Sequence, residues 1–573
     1  MELFKMFMSI ALLSAVGVFV RLYKALVTEP ARVRRILKKQ GISGPPPSFL
    51  LGNMMEVKKP IDAAAKATKS AANNGTQLDH NWVKKPIDAA AKATKSAANN
   101  GTQLDHNWVA TLFPFFEKWR QIYGELFVFS LGNSQIMYVN HPDLIKEITT
   151  HTTYDLGKPS YHRKEFGPLL GDGILTTNGP TWAYHRKVLA PELYMEKIKG
   201  MTNQISESVV ILVDAWKNKI DSEGGLADIN IDEYMRTFSG DVISRACFGS
   251  NYVKGKEIFN RLKVLQEATS DKVLSIGIPG ITYLPTKANR EAWALEKEIH
   301  NLILEVVKER KETGAERDLL QMVMEGAENG EMNQKEIDQF IVANCKNVYL
   351  AAHEASAIGA SWCLMLLASN PEWQDRVRAE VLEITGGRTP DADMLRKMKQ
   401  LTMVLQETLR LYPSGPALAR EVLNDVTIGG YQIPKGVILW TMVVTMHTEP
   451  EFWGPDVLNF NPERFANGVN AACKLPHGFL PFGFGPRICV GQHLAMVELK
   501  MLIASLLPHG FLPFGFGPRI CVGQHLAMVE LKMLIASLVS NFSFTLSPKY
   551  VHSPALKLVI KPEFGVDLLI KKL

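Results

Sequence analysis

Phe482, Gly485, Arg487, Cys489 and Gly491 form the pattern F-x-x-G-x-R-x-C-x-G, and a helical run begins at about Gln492. A cysteine between glycines just ahead of a helix keeps its sulfur exposed. Backbone N–H groups and the helix N-terminus favour its thiolate, the form that binds metal. Arg487, two residues before the sulfur, offers a fork suited to a carboxylate of a flat cofactor. Together these point to a thiolate on haem iron, which pushes electron density towards bound oxygen and favours O–O cleavage. A lone cysteine is more commonly a buried structural residue, but here five set positions match at once. The glycines make no dinucleotide fingerprint, because Ile488 stands where the third glycine would fall. No C-x-x-C pair or H-E-x-x-H spacing occurs, which argues against zinc.

The same 32 residues occur twice, at 475–506 and 507–538, so Phe514, Gly517, Arg519 and Cys521 repeat the pattern. One haem takes one cysteine. Using Cys489 keeps the upstream connection to Phe465 intact, whereas using Cys521 keeps the downstream strands intact. The reading adopted is ligation by Cys489 with Cys521 as the alternative. The unused copy then bulges outward and exposes an apolar helix. A second duplication, 57–82 and 83–108, repeats VKKPIDAAAKATKSAANNGTQLDHNW without a change. Solenoid repeats vary outside their core positions and need about three copies. Two copies identical throughout read as insertions into one older design.

The elements that must position the cysteine are mostly helical. From Thr181 to Leu411 the periodicity is that of helices. The longest is predicted over about Gln334 to Ser369, with a capping box from Asn333 to Glu336 and a stop at Asn370-Pro371. Its length of roughly 54 Å crosses a whole domain. A further helix is predicted from Pro371 to about Thr385. Strand-like runs occur at 126–130, 136–139, 426–428 and 437–440. The expected fold class is mainly α with small β-sheets and an N-terminal transmembrane helix.

Met6 to Val20 is apolar and uncharged, and Arg32, Arg34, Arg35, Lys38 and Lys39 follow. Positive charge after the apolar run fits an anchor whose C-terminal side stays cytosolic, not a cleaved leader. The expected organisation is an anchor over 1–28, a basic and proline-rich linker over 29–52, and a catalytic domain over 53–573. Six cysteines are too few for a disulfide scaffold. A net charge of +6 on 573 residues is too diffuse for nucleic acid.

With these motifs in order, the chain resembles the cytochrome P450 monooxygenases over essentially its whole length. Glu407-Thr408-Leu409-Arg410 is similar to the family's E-x-x-R helix. Phe460-Asn461-Pro462-Glu463-Arg464-Phe465 is similar to its F-x-P-E-R-F segment, whose Arg464 joins Glu407 and Arg410 in a structural triad. Trp182 and Arg186 resemble the W-x-x-x-R pair that meets a haem propionate, with Arg420 as a second propionate partner. The stretches 186–191, 196–201 and 283–287 resemble plant enzymes acting on isoprenoid hormones. Residues 41–53 and 111–116 resemble the gibberellin-modifying subfamily, gibberellin oxidases of the elongated-uppermost-internode type. The resemblance implies haem b held by an axial cysteine and a small hydrophobic diterpenoid substrate. It also implies an endoplasmic reticulum membrane location and electrons from NADPH-cytochrome P450 reductase.

One motif departs from the family. Where the long helix should carry A-G-x-[D/E]-T-[T/S], this chain has Ala351-Ala352-His353-Glu354-Ala355-Ser356. Glu354 retains the acid that relays protons, and Ser356 retains a hydroxyl, turned about 100° round the helix. Ala352 and Ala355 replace the glycine and the alcohol, so impaired proton delivery is expected. His353 is expected to be a packed helix residue, not a ligand. Two rival readings follow: a haem-dependent isomerase or dehydratase without oxygen activation, and an inactive product of a duplicated gene model. Substrate choice rests with residues 155–180, 225–290 and 413–419, where no residue type dictates a ligand.

Overall fold

The computed structural model describes all residues except 1, 59–103, 152, 194, 250–251, 271–275, 279, 315–317, 387–389, 476–477, 490–537, 539–540 and 558. Phe514, Gly517, Arg519 and Cys521, and most of both duplications, lie outside the described residues.

The chain opens with helix α1 (Glu2–Tyr23), a π-helical turn (Lys24–Thr28) and helix α2 (Glu29–Lys39). Across Met6–Lys39 the most apolar window has a mean hydropathy of 1.9 and none of it is buried. That length and composition suit a membrane span. The segment expected as a linker therefore begins as a helix. α2 buries Val33 and Leu37 on one face. Beside that face Arg34 donates to the Pro45 carbonyl (2.9 Å), Gln135 Oε1 (2.9 Å) and Ser130 Oγ (3.0 Å). The glycine-proline strap that follows lies against a strand so closely that a Cβ on Gly44 would sit 1.9 Å from the Val128 carbonyl oxygen. The strap thus ties the anchor to the body rather than swinging free of it.

Strands β1 (Leu126–Leu131), β2 (Ser134–Val139) and β3 (Leu156–Gly157) precede the helical body, into which β4 (Leu226–Asn230) is inserted. After it come β5 (Ala417–Val422), β6 (Val426–Ile428), β7 (Tyr431–Ile433) and β8 (Ile438–Met442). The C-terminal region adds β9 (Phe542–Leu546), β10 (Pro554–Lys557), β11 (Val559–Pro562) and β12 (Asp567–Lys572). The main sheet has the order β1-β2-β8-β5-β3, and β2 and β8 run parallel. β4 pairs antiparallel with β12, which also pairs with β9.

The helices that position the site are α3 (Gly179–Leu189), α4 (Ile231–Phe248), α5 (Tyr252–Ser270), α6 (Gln334–Ser369) and α7 (Lys399–Leu411). α6 has the expected bounds and the expected start: Asn333 accepts from the Glu336 N–H, and Glu336 accepts from the Asn333 N–H. Apolar residues on every side of α6 force it through the interior. Most of it from Phe340 onward is buried, but Ala351 is exposed and Leu350, Ala352 and Ala355 are half-buried. Ala351 and Ala355, one turn apart, therefore face an opening in an otherwise closed core.

The tail of the second copy in the first duplication docks on this body. Leu104, His106 and Trp108 are buried, and the Trp108 indole N–H donates to the Leu411 carbonyl (3.1 Å). His106 Nδ1 meets the Tyr412 hydroxyl at 2.7 Å.

Candidate haem-thiolate site

The cysteine loop is shaped by glycines and wired to a buried ion pair. Gly485 has φ +72°, and a Cβ there would lie 1.8 Å from the Thr149 carbonyl oxygen, so no other residue fits. The Cys489 N–H donates to the Phe482 carbonyl (2.9 Å) and the Ile488 N–H to that of Gly485 (3.0 Å). These turns leave Cys489 exposed at the loop tip, whereas Cys247, Cys345, Cys363 and Cys473 are buried. Burial pushes the Cys345 thiol up to about 12, and Cys473 also rises through burial. A buried thiol of that kind does not ionise at neutral pH.

Behind the loop, Arg410 grips Glu407 with two hydrogen bonds of 2.7 Å, and both side chains are fully buried. The Asn461 N–H adds a third donor to Glu407 (2.9 Å). Arg464 completes the expected triad loosely: its Nε is 3.7 Å from Glu407, while its closest bonds go to Asp456 (2.7 Å) and the Trp453 carbonyl (2.6 Å). His447, which the sequence does not single out, carries the connection forward. Its carbonyl accepts from Arg410 (2.9 Å), its Nδ1 lies 3.2 Å from the Arg410 carbonyl, and its Nε2 accepts from the Leu480 N–H (2.8 Å). An Nε2 that accepts fixes the neutral tautomer with the proton on Nδ1. The ion pair, the imidazole and the start of the cysteine loop form one continuous polar chain.

Above the loop, cationic groups converge. The Arg487 guanidinium sits 4.3 Å from the Trp182 ring centroid, and Arg186 sits 5.9 Å from the same ring. Arg186 donates to the Ile488 carbonyl (3.0 Å), so α3 grips the loop one residue before the cysteine. Arg420 is buried and donates to the Ala419 carbonyl (2.9 Å). Burial and then the neighbouring Arg420 and Arg186 lower Arg487 to about 10, and burial alone lowers Arg420 to about 10. Lys158 falls to about 7 through burial, then Arg420 and Arg487. His162 falls to about 3 through burial, then Lys158 and Arg420. Lys158 and His162 escaped sequence reasoning, since no motif surrounds them.

Among the described residues, Lys158, Arg420 and Arg487 have no carboxylate partner. Arg487 Nη1 is buried with no hydrogen-bond partner at all. Uncompensated buried cations are costly. This cluster therefore fits a flat ligand carrying two carboxylates beside an exposed sulfur, which is what haem b presents. If Lys158 meets one of those carboxylates, Lys158→Met should lose haem to an excess of a scavenging apoprotein about tenfold faster, the worth of one charge-assisted hydrogen bond. An unchanged rate would remove Lys158 from the site.

The two candidate catalytic residues on α6 do not meet. Glu354 is buried and paired with Arg236 of α4, and its Oε2 has no hydrogen-bond partner. Ser356 is buried elsewhere on the helix, its hydroxyl also without a partner. The Ser414 hydroxyl donates to the Ala355 backbone carbonyl (3.2 Å). His353 is buried against Phe259, with ring centroids 4.1 Å apart, as expected of a packed residue.

The buried imidazoles of His106, His353 and His447 are held neutral in the core. Burial lowers His106 and His447 to about 3 and His353 to about 4. Each gains its proton more readily in the unfolded chain, near the ordinary value of about 6.5. Their stabilisation is complete above that value and lost as pH falls towards 4. At pH 5 each is expected to cost about 2 kcal/mol. Denaturant midpoints at pH 7.5 and pH 5 measure this directly, and equal midpoints would contradict it.

A family model described as Cytochrome P450 matches residues 98–509 and 506–566, with its break inside the 475–538 duplication. The chain is 43% identical to Cytochrome P450 714C2 of Oryza sativa subsp. japonica over all of both chains. It is 40% identical to Cytochrome P450 714B3 of Zea mays, covering 99% of this chain and 96% of the relative. It is 36% identical to Cytochrome P450 714A2 of Arabidopsis thaliana, covering 96% of each. A cysteine loop wired to a buried Glu–Arg pair, cations that lack an acid, and similarity across the full length lead to one conclusion: the chain belongs to the cytochrome P450 family of haem-thiolate monooxygenases.

Proposed function

We propose that this monooxygenase inserts one oxygen atom into a diterpenoid acid, a gibberellin or its precursor, with Cys489 as the haem ligand. The observation that carries the ligand assignment is the exposed Cys489 on a loop held by Arg186 and His447, beside the cations of Lys158, Arg420 and Arg487. Haem supplies the oxygen activation when bound. The chain's own part is positional: Arg487, Arg420 and Lys158 bind the propionates, and Arg186 and Trp182 fix the loop. Ala351, Leu350 and Ala355 give the substrate an apolar wall, and Glu354, ionised beside Arg236, is the acid that accepts and passes on protons.

The substrate reading rests on the resemblance at residues 41–53 and 111–116. The anchor helix α1 supports a membrane location, read here as the endoplasmic reticulum with the catalytic domain cytosolic. NADPH-cytochrome P450 reductase is the proposed electron donor. The test incubates the membrane-bound enzyme with that reductase, NADPH and a panel of gibberellins, kaurenoic acid and fatty acids. A product heavier by one oxygen, formed from a diterpenoid acid and only with NADPH, is expected. Oxidation confined to fatty acids would overturn the substrate. Product formed without NADPH would select the isomerase reading, which Ala355 motivates.

Ala355→Thr restores the alcohol of the family pattern. It is expected to raise product per NADPH about tenfold, less than the roughly hundredfold or more that a positioned proton donor adds to a rate. Equal yields in parent and variant would show that proton delivery is not impaired.

A further inference from the structure

The acid on α6 is gripped in a way the family pattern does not require. Arg236, in the second turn of α4, forks between two carboxylates: its Nη1 bonds Glu354 Oε1, and its Nη2 lies 3.3 Å from Asp232 Oδ2. All three side chains are nearly buried, with 13% exposure for Arg236 and Asp232 and 8% for Glu354. The backbone of the same turn is held too. His353 Nε2 lies 3.1 Å from the Arg236 carbonyl oxygen, and Ser239 donates to the His353 carbonyl (3.1 Å). Two consecutive residues of α6 thus hold the side chain and the backbone of one residue of α4. Yet the grip is incomplete, because Glu354 Oε2 and Asp232 Oδ1 are buried without hydrogen-bond partners.

We propose that Arg236 is the positioning residue for Glu354, keeping its carboxylate ionised and turned towards α4 instead of towards the opening beside Ala351 and Ala355. The proposal deepens the reading of Glu354 as the proton-handling acid and rests on it. A buried carboxyl with no cation nearby is pushed up and goes neutral. Here burial raises Glu354, but Arg236 above all, with Lys561, pulls harder and holds it below the usual glutamate range. The charged groups facing it are Arg236 and Asp232 from α4 and Lys561 from β11, with the neutral imidazole of His353 on its own helix and Lys263 and Glu267 of α5 farther out. Lys561 is half-buried and is itself lowered by burial and then Arg236. It is too weakly seated to replace the guanidinium. A purely structural ion pair would stabilise the α4–α6 contact equally well but would leave the acid's protonation without consequence.

The difference is readable in the resting holoprotein without turnover. Infrared difference spectra between parent and Glu354→Gln isolate the Glu354 carboxyl band. In the parent the protonated band should be absent at about pH 7. In Arg236→Gln it should be present at that pH, and Arg236→Lys should restore the ionised form in part. Absence of the band in a folded, haem-loaded Arg236→Gln overturns the proposal. So does its presence in the parent, a result that stands even if Arg236→Gln fails to fold. A second readout separates the proposal from the reading beneath it: the ratio of released hydrogen peroxide to product should shift severalfold in Arg236→Gln. If the band moves and that ratio does not, Arg236 controls the acid, and the proton-handling role given to Glu354 is what fails.

Discussion

Glu407→Ala is expected to leave little haem-loaded protein, with a stability loss of about 3–5 kcal/mol, the usual result of removing one partner from a buried ion pair. The reason lies in what would remain. Arg410 is fully buried and would keep only the carbonyls of His447 and Asn459 as hydrogen-bond partners, beside the Trp453 ring at 5.4 Å. The Asn461 N–H would lose its acceptor, and Arg464 would lose its loose 3.7 Å contact to α7. Total stability for a folded protein is typically 5–15 kcal/mol, so a loss of this size consumes much of it. Glu407→Gln keeps the shape and an acceptor for Asn461, so it should fall between parent and alanine variant. Thermal unfolding of the three proteins, each with haem, gives the order. A Glu407→Ala protein as stable as the parent would mean that the pair does not hold the region behind the cysteine loop.

The effect should reach the loop through His447. Because Arg410 bonds the His447 backbone and His447 Nε2 accepts from Leu480, displacement of α7 moves the segment that leads to Phe482 and Cys489. The part this gives the triad is to hold the loop's approach.

Much of this arrangement was legible in the sequence because its signals are local. The capping box of α6 needs only Asn333 and Glu336, three residues apart, and marks the start of the helix from sequence alone. Glu407 and Arg410 share one face of α7 by the same spacing rule. β1, β2 and β6 were visible as short runs of β-forming residues. What escaped depends on distant partners. β4 was absorbed into a helical stretch because it pairs with β12, more than three hundred residues downstream. His447, Lys158 and His162 have ordinary neighbours in sequence and acquire their roles only from groups that folding brings beside them. Glu354 was recognised as an acid, yet its partner Arg236 lies on another helix and could not be foreseen. The motif joins Arg464 to Glu407, but the nearby Asp456, eight positions away, takes its shorter bonds.

The duplicated loop makes ligation by one particular cysteine the account's central claim. The upstream contacts from Gly485 to Cys489 are made by the first copy: Arg186 holds Ile488, and Gly485 packs on Thr149. Cys521 lies outside the described residues. The most direct test is the spectrum of the reduced protein with carbon monoxide, which carries a long-wavelength Soret band only when a thiolate ligates the iron. The account predicts that Cys489→Ser abolishes that band and Cys521→Ser retains it. A band that survives in Cys489→Ser and vanishes in Cys521→Ser would contradict the assignment.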